Sequence, residues 1–202
     1  HKDELLLNDI FESHDNQQSE LFTHLVKEGI KNLKENEEKL AFLNLERALL
    51  LSSENVPLYI FIAESYFRAD RFSEAKKILE KAYKVAPHNE KILMLFGAVS
   101  ADVSENENAR KYLSFLAGIP KYTGCVNFIW GMLAASEHGW AESIAAFKET
   151  ANLSETAEIH YLIGCAYFQT GQIDNALGYF QKAVLINENF ADAWFMQSVV
   201  YY

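Results

Sequence analysis

Histidine and cysteine are the side chains best suited to proton transfer, nucleophilic attack or metal binding, and this 202-residue chain holds six of one and two of the other. Their spacing supports none of that chemistry. His1, His14, His24, His88, His138 and His160 are dispersed, and none falls in a His-Glu-x-x-His or other ligand spacing. Cys125 and Cys165 form no Cys-x-x-Cys pair and have no basic residue placed to make a thiolate, so no zinc site, disulfide framework or nucleophile is indicated. Gly29, Gly97, Gly131 and Gly164 stand singly rather than in a phosphate-cradling loop. No catalytic residue, metal or cofactor is therefore expected, and the chain reads as a non-enzyme. Recognition by contact remains, and Ile, Met, Phe and Tyr residues at recurring positions are the material for it.

Those positions recur because the chain repeats. The residues His160, Ile163, Gly164, Tyr167, Ala176, Phe180 and Ala183 form one sparse pattern. Its small-residue position returns at Gly131, Gly97, Ala63 and Gly29, at intervals of 33, 34, 34 and 34 residues counting back from Gly164. The second half of each copy agrees, with Ala41/Leu45/Ala48, Ala75/Leu79/Ala82, Ala109/Leu113/Leu116, Ser143/Phe147/Thr150 and Ala176/Phe180/Ala183. Five copies in phase specify helix pairs that each bury one stripe against the next. Numbering each copy from its first residue, positions 4, 7, 8 and 11 of the first helix share one face and form the core stripe. Asp70-Arg71, His138-Gly139 and Gly171-Gln172 read as turns between paired helices, while Pro87 and Pro120 read as ends of second helices. The third copy is weakest, with Ser100 in the aromatic position and Leu116 in a small-residue position.

With these residues the chain resembles the tetratricopeptide repeat (TPR) family, whose pattern W-x2-L-G-x2-Y…A-x3-F-x2-A matches best at 157–190. The resemblance implies an all-α fold, a right-handed α-solenoid of antiparallel helix pairs forming a TPR superhelix. Residues 1–21 are expected to hold an N-terminal helix and loop, with Leu6, Leu7, Ile10 and Phe11 as an apolar stripe that docks elsewhere. The repeats follow as 22–55, 56–89, 90–123, 124–156 and 157–190, and 191–202 begin a partial sixth. Few prolines and no Gly/Ser-rich stretch predict a continuous array without a flexible linker.

In TPR folds the opposite stripe of each first helix, positions 2, 5, 9, 12 and 13, lines a concave groove. The resemblance thus implies a peptide-binding groove of Val26, Ile30, Ile60, Phe67, Met94, Phe128, Met132, Tyr161, Phe168 and Phe195, with Leu33 and Tyr202 beside them. The same aromatic positions also serve inter-repeat packing in the family, so Tyr161 and Phe168 carry either role. Contiguous exposed apolar surface marks binding sites, and methionine adapts its shape to varied ligands. An apolar peptide or helix in the groove is the expected ligand. Co-chaperones of this family grip acidic tails through a clamp of Lys, Asn and Arg. The corresponding positions here hold Val26, Ile30, Phe61, Lys91 and Leu95, or Ile60, Glu64, Leu95, Cys125 and Ile129, and neither window keeps the clamp.

Eighteen basic against 28 acidic residues give a net charge of −10, which argues against nucleic acid or an anionic membrane as partner. Residues 1–120 carry 15 Lys/Arg and 20 Asp/Glu, whereas 121–202 carry 3 and 8. A basic partner can be steered to the second part, or the acidity simply keeps a repeat array soluble. No apolar run reaches the ~20 residues of a membrane span, and two unclustered cysteines suit a reducing, cytoplasmic setting. The chain opens on His1 rather than Met, which leaves a removed targeting segment open. The leading reading is a non-catalytic scaffold holding another protein through an apolar or amphipathic segment. Residues 106–153 further resemble TPR subunits of the anaphase-promoting complex. The repeat and its acidity also suit a type III secretion chaperone, and the array alone suits the recruiting domain of a larger enzyme. Trp194, Phe195, Val199, Tyr201 and Tyr202 have no second helix to cover them, so a two-fold homodimer is expected.

Overall fold

Three first helices of the repeat pattern begin where a short polar side chain satisfies a free backbone amide. The computed structural model describes residues 10–11, 19–102 and 105–201. Its helices are α1 (Ser19–Lys34), α2 (Glu38–Leu51), α3 (Val56–Arg68), α4 (Phe72–Val85), α5 (Glu90–Asp102), α6 (Asn106–Ser114), α7 (Thr123–Ser136), α8 (Trp140–Leu153), α9 (Ala157–Gln169), α10 (Ile173–Ile186) and α11 (Ala191–Tyr201), with a 3-10 turn at Pro120–Tyr122. No strand occurs among the described residues. The Asn55 side chain accepts from Leu58 N at 2.9 Å to start α3, Asn89 accepts from Ile92 N at 3.2 Å to start α5, and Thr156 accepts from Ile159 N at 3.3 Å to start α9. No described helix is long and apolar enough to cross a membrane.

The chain divides into two compact units, His1–Tyr112 and Leu113–Tyr202. In the first, α1 pairs with α2 and α3 with α4 across short turns, and α5 packs on α4. Phe42 of α2 stacks on Tyr66 of α3 with ring centroids 3.7 Å apart, and the Arg71 guanidinium lies over both rings. Burial and the hydrogen bond to Glu46 push the Tyr66 hydroxyl far above the ordinary tyrosine range, so this ring remains neutral. In the second unit α7 pairs with α8 and α9 with α10, and α11 packs on α10.

The repeat register is visible in the burial. All fifteen residues of the second-helix pattern, from Ala41 to Ala183, are at most 5% exposed. Small first-helix residues allow this: a carbon added to Gly131 would lie 2.6 Å from Phe147 Cε1, and one added to Gly164 would lie 2.6 Å from Phe180 Cε1. In these two pairs the ring of the second helix rests directly on first-helix backbone. Turns between paired helices carry a left-handed residue at Asn36, Asp70, His138 and Gly171, with φ of 60°, 55°, 60° and 72°.

The third copy departs from the expected geometry. Its second helix, α6, has nine residues where α2, α4, α8 and α10 each have fourteen. Pro120 does not end that helix as the sequence suggests; it opens the 3-10 turn that leads into α7. The physical reason lies at Leu116. It stands where the other copies have Ala48, Ala82, Thr150 and Ala183, and a leucine is too bulky for that close helix contact. The helix stops two residues before it, Leu116 is wholly buried, and Gly118 turns the chain with φ +88°.

Candidate functional site

The ten apolar residues expected on the recognition face fall on the two units, Val26, Ile30, Ile60, Phe67 and Met94 on the first and Phe128, Met132, Tyr161, Phe168 and Phe195 on the second. Helical geometry sorts them. At about 100° per residue, positions 5 and 12 lie only about 60° and 40° from the core position 8, while positions 9 and 2 lie about 100° and 120° away. A side chain at position 5 or 12 therefore leans toward the helix pair, and one at position 9 or 2 points clear of it.

In the first unit this corrects two expectations. Val26 and Ile60, both at position 5, are 0% and 4% exposed and belong to the hydrophobic core rather than to an open groove. That core also takes in Ile10 and Phe11. Asn55 Nδ2 donates to the Ile10 carbonyl at 2.8 Å, and the Phe11 ring meets Phe22 edge-on at 6.4 Å. These two residues thus pack on their own chain instead of being left over for a neighbour; Leu6 and Leu7 lie outside the described residues. Ile30, Phe67 and Met94 are half-buried, with Phe67 edge-on to Phe72 at 5.4 Å.

In the second unit position 5 is again drawn inward. Phe128 lies against Phe147 at 5.9 Å and Tyr161 against Phe180 at 5.8 Å, so the expectation that Phe128 faces away from the helix-pair core is also corrected. Each sits three residues before a packing glycine, hence on nearly the same face as it. Phe168 is half-buried. Met132, at position 9, is 44% exposed, and Val199, at the same position in α11, is 39% exposed. Phe195 is 65% exposed, because α11 has no paired second helix among the described residues. Tyr202 lies outside them.

Two acidic side chains beside this apolar row were not singled out by sequence. Glu158 and Asp192 occupy position 2 of α9 and α11, as Cys125 does in α7, and all three are exposed. The signal was the repeat itself, since the position had already been assigned to the outward stripe. The Asp192 charge reaches Tyr161 and Cys165: burial, the hydrogen bond to Cys165 and then Asp192 push the Tyr161 hydroxyl up to about 12. Burial chiefly, with Asp192 adding to it, pushes the Cys165 thiol up as well. Such a shift disfavours the thiolate, the reactive form of cysteine. His160 is a core residue, 5% exposed, with Nε2 at 2.7 Å from Glu155 Oε1 and its ring against Tyr179. Among the described residues no group of three His, Cys, Asp or Glu side chains is placed to hold a metal.

Known families and structures agree with this architecture. The tetratricopeptide repeat model matches residues 157–190 and, in a second version, 56–89. No curated protein matches the sequence. Among solved structures the chain is similar to the MamA protein, at 20% identity over 85% of this chain and 94% of that one, with a TM-score of 0.73. It is similar to YrrB, described as a TPR protein with an unusual peptide-binding site, at 22% identity over 86% and 90%, with a TM-score of 0.69. A third likeness is to a thermophilic TPR protein of Thermus thermophilus, at 15% identity over 89% and 98%, with a TM-score of 0.63. At these identities the likeness shows the fold, an all-α solenoid of helix pairs.

Proposed function

We propose that this tetratricopeptide repeat protein, a protein–protein interaction scaffold, holds an apolar or amphipathic segment of another protein on the first-helix face of its second unit. One observation carries the reading: Met132 and Val199, both at the outward position 9, are large apolar side chains left 44% and 39% exposed, and Phe195, at position 5 of α11, is 65% exposed, on helices that also carry half-buried Phe128, Tyr161 and Phe168. Water-exposed apolar area of this kind is stabilised by a partner that removes it from solvent. The peptide-binding site ascribed to YrrB supports a polypeptide segment as the ligand. Binding is by contact alone, with no bond made or broken.

The test is a pair of substitutions at the exposed end of the row. Met132→Asp with Phe195→Asp should leave the helical spectrum and melting midpoint close to the parent, because neither side chain is in the core. Capture of the partner identified with the parent protein should weaken by about 2 kcal/mol or more, roughly thirtyfold, if either is a central anchor. Equal capture by parent and variant would place the contact elsewhere. Phe128→Asp is unsuitable as the probe, since its ring rests on Phe147 and the charge would enter the helix-pair contact.

A further inference from the structure

The second unit keeps its lysines off its first helices. All three of its lysines stand off the first-helix face, and each is engaged with an aromatic ring. Lys148 of α8 donates to the Tyr167 hydroxyl at 2.7 Å and lies 5.1 Å and 5.8 Å from the Tyr167 and Tyr179 ring centres. Lys182 of α10 lies 4.9 Å from the Tyr179 ring centre, and Lys121 of the 3-10 turn lies 4.7 Å from that of Tyr122. The outward positions of α7, α9 and α11, by contrast, hold Cys125, Met132, Glu158, Cys165, Asp192 and Val199. Two carboxylates flank the apolar row, and the outward positions of these helices supply no lysine or arginine to answer them.

Glu158 and Asp192 hold the same position in successive first helices. The two helices meet through one apolar cluster shared with α10, in which Ala157 and Ala193 are buried with Ala183 and Val184 and the Tyr161 ring lies edge-on to Phe190 at 5.3 Å. Helices set side by side in such an array are spaced on the order of 10 Å, a separation that the ~10 Å rise of seven residues of α-helix can match. We infer that the occupant of this face is a cationic amphipathic helix of another protein, with Lys or Arg at i and i+7 meeting Glu158 and Asp192 while its apolar side chains seat on Met132, Phe168 and Phe195. The inference rests on the contact reading above and adds the partner's charge pattern to it. Complementary charge at the rim sets which partner is chosen and how fast it arrives.

Two synthetic amphipathic peptides with the same leucine face, one with Lys and one with Glu at i and i+7, test this by fluorescence anisotropy on the whole chain. The parent should bind the Lys peptide roughly tenfold tighter than the Glu peptide at low salt, and high salt should collapse the difference. Glu158→Gln with Asp192→Asn, which keeps size and hydrogen-bonding capacity, should abolish the preference while leaving the Glu peptide bound at least as well. Equal binding of both peptides to the parent would overturn the charge inference and leave the contact reading standing. Binding of neither would overturn both. A dimer of the chain alone, dissolved by Met132→Asp with Phe195→Asp and not displaced by either peptide, would make a second copy the occupant and overturn the cationic helix.

Discussion

A carbon added to Gly164 would lie 2.6 Å and 2.7 Å from Phe180, whose ring is fully buried and cannot swing aside. Gly164→Val should therefore cost about 1–3 kcal/mol through overpacking. Gly178 is a useful opposite, because it sits inside α10 with nothing within 4 Å of an added carbon. Gly178→Ala should instead stabilise by roughly 0.8–1 kcal/mol, the gain in helix propensity. Urea melts of the two variants check both signs, and a destabilised Gly178→Ala would show that the face assigned as open is packed. The two free thiols separate in the same way. Cys125 is exposed, whereas Cys165 is partly buried with its thiol pushed upward, so iodoacetamide at mildly alkaline pH should modify Cys125 first. Peptide mapping of the modified chain would contradict this if Cys165 were alkylated as fast.

At the scale of elements the turns make the sharpest prediction. Gly171 has φ +72° and nothing within 4 Å, so its substitution is strained by the backbone and not by a neighbour. Gly171→Ala should lose about 1 kcal/mol, and Gly171→Asn should lose less, because Asn tolerates the left-handed region. Asn36 already holds that conformation at the matching turn. Thermal melts that rank Ala above Asn would contradict the turn geometry. Asp70, His138 and Gly171 were legible as turns in the sequence, and so was the whole buried register from Ala41 to Ala183, because both follow from a pattern repeated five times in phase. The recognition face was legible only in part. Treating positions 2, 5, 9, 12 and 13 as one outward stripe overlooked that position 5 lies about 60° from the core position, within reach of the paired helix. Val26, Ile60 and Phe128 lean inward for that reason, whereas Met132 at position 9 is 44% exposed. The shortened α6 was foreshadowed by Leu116, yet where a helix stops depends on what its last turn must pack against, which a pattern of spacing does not specify.

At the scale of the molecule the distribution of charge and of exposed apolar area points to the second unit. A net charge of −10 is spread over the chain, but Lys121, Lys148 and Lys182 are the only lysines or arginines after residue 120. The proposed occupant, apolar on one side and basic at its edges, complements the apolar row beside Glu158 and Asp192. The chain contains three methionines, Met94, Met132 and Met196, so each can be followed singly by carbon-13 methyl NMR. Met132 stands exposed on the proposed face; Met94 lies in the first unit, and both it and Met196 are partly buried. The most direct measurement is a titration of the methyl-labelled chain with the Lys-bearing amphipathic peptide. The Met132 methyl resonance should shift and broaden in proportion to the bound fraction while that of Met94 stays in place. A peptide that binds measurably yet leaves Met132 unmoved would contradict the account.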